Sequence, residues 1–115
     1  MIEIQNCNIT LMVNSMDNAV AFYTEILGLK LNARYGDHLA DLEGPGIHIG
    51  LHPASKNLHR GDNISIGLRV NDIQTAITAL QKAGVACTFH DDQQVQLAYF
   101  SDPDGNPLYL AESRW

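Results

Sequence analysis

Basic residues are scarce in this sequence, and so are cysteines and long apolar runs. Seven Lys and Arg stand against thirteen Asp and Glu, which gives a net charge of −6, and the basic residues are scattered. Nucleic-acid-binding domains normally carry a basic patch, so we expect no nucleic-acid partner. No apolar run approaches the length of a membrane span, and the amino end lacks the basic and apolar regions of a secretion signal. The composition therefore predicts a soluble, cytoplasmic protein with no membrane partner.

The two cysteines, Cys7 and Cys87, do not form a CxxC motif. In a cytoplasmic protein this spacing favours a pair of reduced, half-buried thiols over a disulfide or a redox centre. The sequence also has no P-loop and no dinucleotide-binding glycine fingerprint. No Ser-His-Asp or Cys-His constellation can be argued from the spacing of its residues. We therefore expect no cofactor.

The first half of the chain alternates in a way that predicts a strand followed by a helix and three further strands. Apolar residues recur at every second position over 7–13, which is typical of a strand with one buried face. Ser15 predicts a helix N-cap and Gly28 a helix end. The residues between them that recur at helical spacing are Met16, Ala19, Val20, Tyr23, Ile26 and Leu27. The three strands are predicted at 29–35, 38–43 and 46–52.

After a polar stretch the same pattern begins again. Leu-Met-Val-Asn at 11–14 corresponds to Leu-Arg-Val-Asn at 68–71, 57 positions later, and Asp72 and Gly84 delimit a second helix. Further strands are predicted at 64–70, 85–90, 94–101 and 106–112. The chain thus reads as an internal duplication, an α+β fold of two βαβββ modules. We expect one domain over 1–115, with module 1 at about 5–54, a linker at 55–63 and module 2 at about 64–115.

Each module has a single helix, which can cover only one face of its sheet. We therefore expect the two open faces to meet as a curled mixed sheet around a central cavity, with the helices outside.

Two segments carry a family resemblance. Residues 21–29, AFYTEILGL, lie in the first module, and residues 102–106, DPDGN, form a predicted hairpin turn in the second. With the repeat, the sequence resembles the vicinal oxygen chelate superfamily, which includes glyoxalase I, extradiol dioxygenases, fosfomycin-resistance transferases and bleomycin-binding proteins. The resemblance implies a small-molecule ligand and a homodimer. In metal-dependent members, four inward His, Glu or Gln side chains hold a divalent ion.

The positions that match those four side chains are Asn8, Gly50, Ser65 and Tyr109. Glycine has no side chain, serine is a poor ligand at neutral pH, and asparagine offers one neutral carbonyl oxygen. A catalytic zinc normally needs three nitrogen, sulfur or carboxylate donors. The sequence therefore predicts no metal at the family site.

Two histidines lie on the strand face of Gly50. His48 and His52 are separated by about 13 Å between their Cα atoms if the strand is extended, so they are poorly placed to share one ion. His48 is either a hydrogen-bonded wall of the cavity or a catalytic residue, and His52 is expected at the rim. The histidines that are expected in turns or on the surface are His38, His59 and His90.

Arg69 and Tyr109 each have two interpretations. Arg69 shares a strand face with Ser65, where it either presents its guanidinium to an anionic or carbonyl-bearing ligand or pairs with Asp72 or Glu112 at the rim. Tyr109 either stacks on a flat ligand or fills the space that a metal would otherwise occupy.

Our first hypothesis is a metal-free protein that binds a small organic molecule, either aromatic or antibiotic-like. The residues expected to contact that ligand are Asn8, Thr10, Met12, His48, His52, Ser65, Arg69 and Tyr109. The alternative is an enzyme: a lyase, isomerase or dioxygenase with an unconventional metal site, or a metal-free proton-transfer catalyst. In the metal-free case His48 is the base, and Arg69 or Tyr109 stabilises an oxyanion. The sequence ranks binding first and leaves the question of catalysis open.

Overall fold

The predicted strand and helix pattern occurs twice along the chain. The structure is a computed structural model that describes residues 1–58, 61 and 63–113, apart from the Ser113 side chain. The chain divides into two compact units, Met1–His59 (unit 1) and Arg60–Trp115 (unit 2). The prediction for His59 lies outside the described residues.

Each unit has one helix and one four-stranded sheet in its described part. Unit 1 contains β1 (Ile9–Val13), α1 (Met16–Ala21, continued by a π-helical turn over Phe22–Ile26), β2 (Lys30–Tyr35), β3 (Leu39–Gly44) and β4 (Ile47–Pro53). Unit 2 contains β5 (Ile66–Arg69), α2 (Ile73–Lys82), β6 (Thr88–Asp91), β7 (Val95–Ser101) and β8 (Pro107–Ser113).

The two sheets have the same topology. Their strand orders are β1-β4-β3-β2 and β5-β8-β7-β6. In each sheet the first pair is parallel and the other pairs are antiparallel. The predicted α+β duplication is therefore confirmed, with one four-stranded sheet in each unit. The shared central cavity and the single domain over 1–115 stay predictions.

The first helix is less regular than the sequence predicts. It is α-helical only to Ala21, and a π-helical turn follows, in which the Leu27 N–H donates to the Phe22 carbonyl at 3.1 Å. The Thr24 hydroxyl donates to the Val20 carbonyl at 2.7 Å, an oxygen that an α-helical Thr24 N–H would otherwise use. The predicted end at Gly28 still holds, because the helical segment ends at Ile26, Leu27 is its C-cap, and Gly28 follows with a φ of 77°.

Both helices begin with the predicted side-chain caps. The Ser15 Oγ accepts the Asn18 N–H at 3.2 Å, and the Asp72 carboxylate accepts the Thr75 N–H at 3.2 Å and the Thr75 hydroxyl at 3.0 Å. The Thr75 bonds lower the pKa of Asp72. A carboxyl group whose pKa is lower in the folded than in the unfolded state stabilises the folded protein at pH values above its unfolded-state pKa. This stabilisation is lost as the pH falls through the folded-state pKa. The α2 cap should therefore weaken in acid.

One face of each sheet is buried beneath its helix, and the other face is left open. In unit 1, Leu42 and Leu51 are fully buried on the α1 side; in unit 2, Leu108 and Leu110 are buried on the α2 side. Each such leucine contributes about 2 kcal/mol of burial free energy. Because side chains alternate along a strand, the residues between them point to the face away from the helix, which we call the open face of that unit.

Cys87 and Cys7 are both free thiols. Burial raises the pKa of the Cys87 thiol, as expected for a half-buried, unreactive cysteine. Cys7 is exposed, so the prediction of two half-buried thiols is wrong for this residue. The reason is that β1 begins only at Ile9, two residues later than the sequence pattern indicates. In the same way β5 and β6 begin after the predicted positions 64 and 85.

In the part of the chain that the structure describes, neither helix is long and apolar enough to cross a membrane.

The hairpin between β6 and β7 gives a stability prediction. Asp91 Oδ1 accepts the Gln93 N–H, and Asp92 Oδ1 accepts the N–H groups of Gln94 and Val95. This arrangement holds Gln93 at a φ of 77°, a region that favours glycine. Replacing Gln93 by glycine should raise the free energy of unfolding in urea by about 0.5 kcal/mol. The matched change Gln94→Gly should lower it, and equal losses for both variants would contradict the assignment.

Candidate functional site

The open face of unit 2 carries two rows of side chains that run across all four strands. The strand register places Thr88, Tyr99, Tyr109 and Gly67 side by side in the first row. It places His90, Leu97, Ala111 and Arg69 in the second. The rings of Tyr99 and Tyr109 lie with their centroids 6.4 Å apart and tilted by 51°. This face therefore combines a row with two aromatic rings, which we call the aromatic row, and a second row in which the apolar Leu97 and Ala111 lie between His90 and Arg69.

Tyr109 and Gly67 fit each other across the parallel β5 and β8 strands. The phenol end of Tyr109 occupies the space that a Cβ on Gly67 would need, and a Cβ built there would lie 2.8 Å from Tyr109 Cε2. Real Cβ atoms essentially never approach a neighbour so closely. The tyrosine ring thus lies low across the neighbouring strand because that strand has a glycine at this position.

Arg69 does not make the ion pairs that the sequence suggests. Glu112 lies on the α2 side of the sheet, where its Oε1 accepts the Ile73 N–H at 2.8 Å. Asp72 is engaged with Thr75. Within the described ranges Arg69 has no ion pair, and it is exposed on the open face of unit 2. The predicted pairing with Asp72 or Glu112 is therefore wrong, because β8 alternation turns Glu112 to the opposite face.

The open face of unit 1 carries the remaining candidate residues. Thr10 lies opposite Gly50, and Met12 lies opposite His52. Strand parity puts His48 on this face as well, next to Gly50 along β4. This face carries polar side chains, among them Thr10, His48 and His52, together with the apolar Met12.

Asn8 lies just before β1 and close to Gly50. Its Nδ2 donates to Thr10 Oγ1 at 3.2 Å and would lie 3.7 Å from a Cβ on Gly50. Asn8 and Gly50, the two family positions of unit 1, are therefore brought together on one face.

A carboxylate, an amide and an imidazole form a connected group on the open face of unit 1. Asn32 Nδ2 donates to Glu43 Oε1 at 3.0 Å and lies 3.5 Å from Asp41 Oδ2. His48 Nε2 is 4.0 Å from Glu43 Oε1. The Asn32 hydrogen bond, followed by the charge of His48, lowers the pKa of Glu43. Glu43 is therefore a carboxylate at neutral pH and lies beside the imidazole.

The residues at the four family positions do not fit a divalent metal. Gly50 offers no side-chain donor atom, Asn8 offers only one neutral carbonyl oxygen, and the Tyr109 hydroxyl lies over Gly67. Ser65 is exposed and lies one residue before β5. Among residues 1–58, 61 and 63–113, no three His, Cys, Asp or Glu side chains lie where they could share a metal ion. The donor chemistry of these residues therefore does not fit a metal centre.

Sequence reasoning missed Tyr99, Asn32 and Glu43 as open-face residues. A signal for Tyr99 was present, because the predicted turn at 102–106 fixes the β7 and β8 register and so places Tyr99 opposite Tyr109. For Asn32 the sequence contains no such signal. A register shift between Leu31 and Ala33 directs its amide towards the β3 carboxylates.

Solved structures share this architecture. An integron cassette protein from the mobile metagenome of the Halifax Harbour sewage outfall is 24% identical, with a TM-score of 0.78, and the match covers 95% of this chain and 99% of that one. Lactoylglutathione lyase from Agrobacterium tumefaciens is 16% identical, with a TM-score of 0.76 and coverages of 95% and 94%. TnmS3, an antibiotic binding protein from Streptomyces sp. CB03234, is 25% identical, with a TM-score of 0.67 and coverages of 96% and 99%.

No curated protein matches the chain. A family model does, and it matches residues 7–110, nearly the whole sequence. That match spans both copies of the strand and helix pattern, including the two segments that carry the resemblance. The chain therefore belongs to the Glyoxalase/Bleomycin resistance protein/Dioxygenase superfamily.

Proposed function

We propose that this protein binds a small organic molecule with an aromatic ring on the open face of unit 2, without a metal ion. The observation that carries the proposal is the Tyr109 ring, which lies low over Gly67 with Tyr99 beside it. In the same unit, the opposite sheet face is already filled by α2. Tyr99 remains 47% exposed, so this aromatic surface is accessible for stacking.

The energetics suit a ligand of moderate affinity. An aromatic pair contributes about 0.5–1.5 kcal/mol beyond the area that it buries. Leu97 and Ala111, in the neighbouring row, offer an apolar floor for the rest of a flat molecule. A single-ring compound should therefore bind with a Kd of roughly 0.1–1 mM, and a larger fused-ring compound should bind more tightly.

The similarity to TnmS3 supports a binding role, and we carry the antibiotic-like ligand over as part of the proposal. The other contacts that we propose in unit 2 are two of those predicted from the sequence, namely Ser65 and Arg69. The predicted contacts in unit 1 stay predictions, namely Asn8, Thr10, Met12, His48 and His52. We also propose that the protein is cytoplasmic and homodimeric, as its composition and family resemblance predict.

A thermal-shift and calorimetric screen with flat aromatic compounds tests this proposal. Binding compounds should raise the Tm in proportion to the logarithm of their concentration. Tyr109→Ala should weaken their affinity about tenfold, since it removes both stacking and buried area. Tyr35→Ala, which removes an exposed tyrosine of unit 1, is the matched control and should leave affinity unchanged. The proposal fails if no compound raises the Tm or if the two variants behave alike.

Metal content is measured on the same protein. After incubation with zinc, nickel, iron and manganese and removal of the excess, elemental analysis should find well below one equivalent of each. A stoichiometric metal would overturn the metal-free part of the proposal.

A proton-transfer enzyme is the second candidate, and the proximity of His48 to Glu43 favours it. In this second candidate His48, whose Nε2 lies 4.0 Å from Glu43 Oε1, removes a proton from a substrate as a general base. If compounds such as hemithioacetals are turned over, His48→Gln should reduce kcat by at least about 100-fold. Turnover that survives this change would exclude His48 as the base.

A further inference from the structure

We propose that the ligand of unit 2 is an aryl acid, with its ring on Tyr109 and its anionic oxygens on Arg69. This inference rests on the proposed function and adds the chemical class of the ligand. Its basis is the Arg69 guanidinium, which is exposed and has no ion pair among the described residues. Arg69 lies at the end of the second row, next to the aromatic row.

The spacing of the two groups matches a small aryl acid. Arg69 lies two residues beyond Gly67 on β5, which is about 7 Å along the strand. The phenol end of Tyr109 lies over Gly67 on this same strand, and Ala111 lies beside Arg69 on the neighbouring strand. Because alanine is small, a flat molecule can place its ring on the tyrosine and its acid group at the guanidinium.

The charges on this face favour an anion over a cation. The two rows contain no aspartate or glutamate. The nearby acidic side chains of unit 2 are held elsewhere: Glu112 binds the Ile73 N–H on the α2 side, and Asp91 and Asp92 accept backbone N–H groups of the β6–β7 turn. Among the described residues, the two rows therefore contain the positive charge of Arg69 and no carboxylate, although the whole chain carries a charge of −6.

Arginine at this position also sets the geometry. A guanidinium presents parallel N–H donors that match both oxygens of a carboxylate. His90, at the far end of the same row, is three strands away, or about 14 Å. A single-ring ligand cannot reach from Tyr109 to both ends of the row with one acid group, so the acid is directed to Arg69.

The test uses three probes of the same shape and different charge: cinnamate, cinnamamide and cinnamylamine, titrated at neutral pH into the full chain. We expect the wild type to bind cinnamate about tenfold more tightly than cinnamamide, and cinnamylamine most weakly. Arg69→Gln should weaken cinnamate about tenfold and change cinnamamide by less than twofold. Lys82→Gln, which removes the same charge on the outer side of α2, should change none of the three.

The outcomes separate this inference from the proposed function. If the three probes bind equally, if the amine binds most tightly, or if Arg69→Gln affects all three alike, the aryl-acid class is wrong while ring binding stands. If none of the three binds and the aromatic screen is also negative, both proposals are overturned.

Discussion

Replacing Asp102 by alanine should lower the free energy of unfolding by about 3 kcal/mol, although the residue lies in a turn. The side chain is only 5% exposed. Its Oδ1 accepts the N–H groups of Asp104 at 2.9 Å and Asn106 at 2.8 Å, and its Oδ2 accepts Asn106 Nδ2 at 2.8 Å. Hydrogen bonds to a charged group contribute about 1.5–3 kcal/mol each, and losing them leaves buried donors unpaired.

Urea denaturation of Asp102→Ala and Asp102→Asn measures this effect. The asparagine variant keeps an oxygen for the two backbone donors and loses the bond from the Asn106 amide, so it should show about half the loss. Because the turn sets the β7 and β8 register, the alanine variant should also bind aromatic ligands less well. An alanine variant within 1 kcal/mol of the wild type would show that this network does not hold the hairpin.

Replacing Gly67 by alanine should weaken the binding of aromatic ligands about tenfold and lower the free energy of unfolding by about 1–3 kcal/mol. The added methyl would occupy the space of the Tyr109 phenol group, so the ring must leave its place on the sheet. Overpacking of this kind costs about 1–3 kcal/mol. The stacking surface would be lost with it, because the ring no longer lies beside Tyr99.

A double-mutant cycle identifies the cause. In a Tyr109→Ala background, Gly67→Ala should cost less than about 0.5 kcal/mol, because the clashing ring is absent. Gly61→Ala is the control, since a Cβ on Gly61 meets no atom within 4 Å, and it should affect neither stability nor binding. An equal cost of Gly67→Ala in both backgrounds would contradict the packing of Tyr109 over Gly67.

The sequence alone predicted the features that depend on local pattern. The duplication, the caps at Ser15 and Asp72 and the 102–106 turn follow from residue types at short spacing, where local backbone chemistry decides the outcome. Strand alternation also placed His48, Gly50 and His52 correctly on one face. These features are determined within a single element or turn.

What the sequence did not predict depends on neighbours across strands. The pairing of Tyr99 with Tyr109 depends on the register between two strands. The contact of Asn32 with Glu43 depends on a bulge that no glycine or proline in the sequence indicates. The false pairing of Arg69 with Glu112 has the same origin. The sequence pattern predicts Arg69 and Glu112 at the same rim of the sheet. Once β5 and β8 are aligned, their side chains lie on opposite faces.

The central claim is that an aromatic ligand stacks on the open face of unit 2, and fluorine NMR of protein labelled with 3-fluorotyrosine tests it most directly. The chain has four tyrosines, and replacing each in turn by phenylalanine assigns the four resonances. On titration with cinnamate, the resonances of Tyr109 and Tyr99 should shift together and saturate with one Kd. Those of Tyr23, which is fully buried, and Tyr35 in unit 1 should stay in place. Saturable shifts at Tyr35 alone, or binding with no shift at Tyr99 and Tyr109, would contradict the account.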